Sequence, residues 1–94
     1  MRTVYKYSVP ITDEDTRIAM PKNATIVHVG HQDIGIHRGM VVTFWAEVPD
    51  TDVEEETRVF RVHGAGHPMP VGSAYVGTDL ASDYLVWHLF EVDR

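Results

Sequence analysis

The chain has no cysteine among its 94 residues. That excludes disulfide staples, thiol nucleophiles and cysteine-ligated zinc, and suits a reducing compartment. Basic residues are also scarce: 8 Lys+Arg against 14 Asp+Glu give a net charge of −6. A protein that grips a phosphate backbone needs a basic patch, so no nucleic-acid partner is expected. No apolar run reaches the length of a membrane span, and the start, MRTVYKYSVPITDED, has no apolar leader core. The expectation is no membrane association and a cytoplasmic location. Repeats and low-complexity tracts are absent as well. What remains is 44% hydrophobic and 23% charged, the balance of one ordinary globular domain. A chain of this size hides roughly 60–65% of its unfolded surface on folding, so its core is modest.

The hydrophobic period is two. Tyr5, Tyr7 and Val9 share one face of Thr3–Val9, with Lys6 and Ser8 on the other. Thr16–Met20, Ala24–Gln32, Gly39–Val48, Thr57–Gly64, Ala74–Thr78 and Tyr84–Val92 read as further strands, punctuated by Pro10, Pro21, Pro49 and Gly/Pro clusters. Gly39–Val48 is almost wholly apolar and rich in β-branched residues, which marks a central strand. The only helical candidate is a short turn over residues 78–84, capped by Thr78 or Asp79. About 6–7 strands predict an all-β domain over residues 1–94, a small antiparallel β-sandwich or partly open barrel. Hairpin pairing of successive strands is the default.

Six histidines stand out: His28, His31, His37, His63, His67 and His88. A turn through Ala65 would gather His63 and His67, with His88 or His28 as a third zinc ligand. No HExxH or HxH spacing accompanies them, so no metal and no cofactor are expected. The stretch Gly64-Ala65-Gly66-His67-Pro68-Met69-Pro70 is the best candidate binding loop, since Gly64 and Gly66 allow close backbone approach and the prolines stiffen the exit. It lacks the Gly-Lys-Ser/Thr of a phosphate loop. Arg58 and Arg61 point to opposite faces of one strand; one is expected to pair with the acidic run Asp50–Glu56 and the other to hold an anion. The aromatics, Trp45 and Trp87 included, are expected mainly in the core. A Ser73–His pair with Asp79 or Asp83 is the only hydrolytic constellation the sequence offers.

Blocks along the chain also resemble a family. They are Tyr5-Lys6-Tyr7, Met20-Pro21, Ile26-Val27-His28-Val29-Gly30-His31-Gln32, Trp45-Ala46 and Arg58-Val59-Phe60, followed by Gly64-Ala65-Gly66-His67-Pro68, Tyr75-Val76-Gly77-Thr78 and Trp87-His88-Leu89-Phe90. Together they resemble a domain of unknown function found in small uncharacterised proteins of actinobacterial phages and prophages. The resemblance covers nearly the whole chain. Ala65 departs from a threonine common at that place in the family pattern, which removes a hydroxyl contact. The resemblance implies an accessory protein of a bacterial cytoplasm and assigns no reaction or catalytic residue.

The resulting expectation is a non-catalytic binder of a host or phage protein, with a homodimer as the simplest assembly. Its tentative contact residues are Gly64, Gly66, His67, Pro68, Arg58, Arg61 and His88. The alternative is a small-ligand module that sequesters a nucleotide signal with the 64–70 loop; a metal-dependent or Ser–His hydrolase ranks behind both.

Overall fold

A computed structural model describes residues 2–12, 14–30, 41–64, 72–80 and 86–92. They form seven strands: β1 (Thr3–Pro10), β2 (Thr16–Pro21), β3 (Thr25–Gly30), β4 (Val41–Val48), β5 (Glu55–Gly64), β6 (Ser73–Leu80) and β7 (Val86–Val92). No helix occurs among the described residues. Two antiparallel sheets, ordered β1-β4-β3 and β2-β5-β7-β6, face each other as an open sandwich and do not close into a barrel. The expected helical turn is corrected: Thr78, Asp79 and Leu80 continue β6, and residues 81–84 lie outside the described set. Sequential pairing also fails as a general rule. Only β3–β4 and β6–β7 join successive strands; β1–β4, β2–β5 and β5–β7 pair at a distance.

Alternation explains the core. Val42, Phe44, Ala46 and Val48 of β4 face inward beside Val9, and meet Met20, Phe60, Val62 and Leu89 from the other sheet. The Tyr7, Phe44 and Phe60 rings form a chain across the layers, with centroids 5.3 Å and 4.9 Å apart. Burial holds the Tyr7 phenol above its ordinary pKa. Trp87 packs against this core, but Trp45 does not join it. Trp45 lies on the outer face of the three-stranded sheet, its ring tilted against that of His28 with centroids 5.3 Å apart, because Phe44 and Ala46 already hold the inward positions.

The sheets come closest where β3 meets β6. A Cβ on Gly77 would lie 2.5 Å from Val29 Cγ2, so only glycine permits this approach. The turn Pro21–Ala24 carries the chain from one sheet to the other. Asn23 accepts a positive φ of 69° there, and the Ala24 amide donates to the Pro21 carbonyl at 3.2 Å.

Candidate functional site

The two arginines do face opposite ways, and neither forms a salt bridge to the acidic run. Arg58 is on the inner face with Phe60, its guanidinium 5.9 Å from the ring centre. Its Nε and Nη2 donate to the Glu91 carboxylate at 2.8 and 2.7 Å, and Nη1 donates to the Ala24 carbonyl at 2.6 Å. The hydrogen-bonded Glu91 carboxylate, with Glu56 nearby, holds the Arg58 guanidinium above its ordinary pKa. This side chain thus fastens β5, β7 and the turn between β2 and β3. Arg61, on the outer face, lies 2.9 Å from Asp15 Oδ1. The salt-bridge partners of the two arginines thus lie outside the Asp50–Glu56 run, at Glu91 and Asp15, although Glu56 of that run adds to the field at Arg58. Part of that run, Glu55 and Glu56, belongs to β5 itself.

Beside the Arg58–Glu91 pair, an open cleft of about 580 Å³ runs past the end of β7, between β5 and β6. Glu56, Thr57, Gly72 and Ala74 line it together with the pair. With two carboxylates to one guanidinium, its walls offer an anion no net attraction.

The outer face of the four-stranded sheet is different. Strand register sets His63 opposite His88 and Arg61 opposite Phe90, while Tyr75 and Thr78 of β6 face Phe90 and His88. The Tyr75 and Thr78 hydroxyls share a hydrogen bond of 2.5 Å, and Thr78 Oγ1 is 3.0 Å from His88 Nδ1. Phe90 sits at the centre, edge-on to His63 at 5.5 Å and to Tyr75 at 5.6 Å. The central residues of this outer face, His63 and Phe90, are buried. Tyr75 and Leu80, at the β6 edge, are 60% and 73% exposed.

Of the sequence-derived candidates, Arg61 and His88 therefore share this face. Gly64 ends β5 opposite Trp87, and Arg58 lies in the other layer's direction. Gly66, His67 and Pro68 fall outside the described residues. His28 is on the far sheet and cannot join His63 and His88. Among the described residues no group of three or more His, Cys, Asp or Glu side chains is placed to hold a metal ion. Ser73 is not near a described histidine either. It pairs with Val92, at the opposite end of β6 from Asp79, which is fully buried on the inner side with Trp87. The hydroxyl beside His88 belongs to Thr78 instead. Sequence reasoning missed Thr78 and Tyr75 because strict alternation puts residues 75 and 78 on opposite faces; the bulge between Tyr75 and Gly77 brings both to one.

The family model described as Domain of unknown function (DUF7352) matches residues 1–94, the full chain. The chain belongs to this family. No curated protein and no solved structure matches it. Membership of DUF7352 fits the uncharacterised-domain resemblance, and among the described residues no helix is long and apolar enough to cross a membrane.

Proposed function

We propose that this DUF7352 protein is a non-catalytic binding module that docks a protein on the outer face of its four-stranded sheet, along β6. The observation that carries this reading is the Tyr75–Leu80 strip. Two large side chains stand 60% and 73% exposed on a strand whose one acidic residue, Asp79, is fully buried. Exposed tyrosine and leucine cost solubility unless a partner covers them, and tyrosine is an efficient interface anchor. The family resemblance supports an actinobacterial phage or prophage origin, a bacterial cytoplasm as the setting and a host or phage protein as the target. The net charge of −6 favours a basic partner surface. Nucleic acid, membrane and cofactor have no part in this reading.

The test is affinity capture from a bacterial lysate with the native chain and with Tyr75→Ala/Leu80→Asp. We expect one protein to be enriched reproducibly by the native chain and lost with the double variant, while Val4→Ala, on the other sheet, retains it. Equal capture by the double variant removes the face; no specific capture removes the binding module.

A further inference from the structure

We propose that two copies of the chain associate through β6, paired antiparallel about a two-fold axis, so that two four-stranded sheets become one of eight strands. The inference goes beyond the docking reading, and it is measured on purified protein alone, so either stands or falls without the other.

Among the described residues the sandwich leaves four strand edges: β1, β3, β2 and β6. Unpaired edge amides and carbonyls invite another strand, and proteins guard them with charge, proline or shortness. β1 carries Lys6 and Pro10, β2 carries Arg17 and Pro21, and β3 has only six residues with a bulge at Val27. β6 has eight residues, no proline and no lysine or arginine, and its one acid is buried inward. In a chain of net charge −6, this edge can meet its own copy without setting exposed like charges opposite each other.

The bulge supplies a second, independent argument. A two-fold contact must be self-complementary, and residues directly opposite in an antiparallel pair share a face. A regular eight-residue strand fails this over its full length, because reversing it sets outer positions against inner ones. In β6 the bulge shifts the alternation. Ser73, Tyr75, Thr78 and Leu80 face outward with Val92, Phe90, His88 and Val86, whereas Ala74, Gly77 and Asp79 face inward with Glu91, Leu89 and Trp87, and Val76 packs on the core. The sequence of faces is therefore the same in both directions about the Val76–Gly77 bond. Pairing then matches Ser73 with Leu80, Ala74 with Asp79 and Tyr75 with Thr78 of the second copy, each on its own face. The two Tyr75 rings end up on one continuous outer surface, on either side of the axis.

Edge pairing alone is a small interface, so the expected dissociation constant is about 10–100 µM. Sedimentation from about 1 µM to about 500 µM should show the mass rising from 10.6 kDa toward twice that value. Tyr75→Lys and Leu80→Lys replace exposed side chains, leave the circular dichroism unchanged and weaken association by about tenfold or more. Because the chain has no cysteine, register is testable directly. Ser73→Cys/Leu80→Cys should close intermolecular disulfides on mild oxidation. Ser73→Cys alone should not, since the two copies of that position lie about 23 Å apart along the strands. A mass that stays at one chain up to about 500 µM overturns the proposal and makes the bulge an edge guard. Association indifferent to both lysines, or crosslinking by Ser73→Cys alone, overturns it equally.

Discussion

Arg58 is a single residue that holds three parts of the chain. Its guanidinium meets Glu91, 33 positions away, and the Ala24 carbonyl, 34 positions away. The Arg58 and Glu91 side chains are only 17% and 30% exposed, so the pair lies between a surface salt bridge and a buried one. Arg58→Met keeps the stem over Phe60 but leaves Glu91 without its counter-charge, and should cost about 1–3 kcal/mol in chemical denaturation. Arg58→Met/Glu91→Leu should recover much of that loss, because an apolar pair of similar size removes both charges together. A double variant as unstable as the single one would contradict the pairing. The sequence separation also explains why this clamp was invisible beforehand. A guanidinium shows its sign in a sequence, but a partner more than 30 residues away leaves no local pattern, whereas the nearby run Asp50–Glu56 is conspicuous although only its Glu56 bears on Arg58.

At the level of elements, legibility followed regularity. β4 was readable because Val41–Val48 is a nearly unbroken apolar run, and it proved to be the centre of its sheet. β1 was readable because its alternation is clean, with Tyr7 and Val9 inward. β6 reads as a shorter strand ending in a helical turn, because the bulge disrupts its period and Thr78-Asp79 resembles a helix cap. The same strand fixes the spacing of the two layers through Gly77. Gly77→Ala places a methyl within 2.5 Å of Val29 Cγ2, both on strands that cannot shift independently of their sheets. It should destabilise the protein by about 1–3 kcal/mol. Val29→Ala opens room for that methyl, so the stability lost in Gly77→Ala/Val29→Ala should be measurably smaller than the sum of the two single losses. Simple additivity in thermal or urea unfolding would show that the contact does not set the spacing.

The whole molecule was legible as a class and not as a wiring diagram. Seven strands and two layers follow from period-two patterning and from the need to bury one face of each strand. Which strands pair does not follow, since the register of Thr3 with Val48 or Ile18 with Arg58 is set only when all inward faces meet at once. Such distant pairing makes folding slow, because loop closure precedes the contacts that repay it. Stopped-flow refolding should therefore fall in the millisecond-to-second range typical of β-sandwiches. Microsecond folding would mean that local hairpins carry more of the structure than this topology allows.

The placement of β7 has a consequence for how the protein is made. β5 and β6 run parallel, and the strand that joins them follows both in the sequence. Until it emerges from the ribosome, one edge of β5 and the facing edge of β6 lack their neighbour. The sandwich therefore cannot be assembled progressively from the N-terminus. Nascent chains that stop short of Val86 should behave as aggregation-prone intermediates, because β7 is the keystone of the larger sheet.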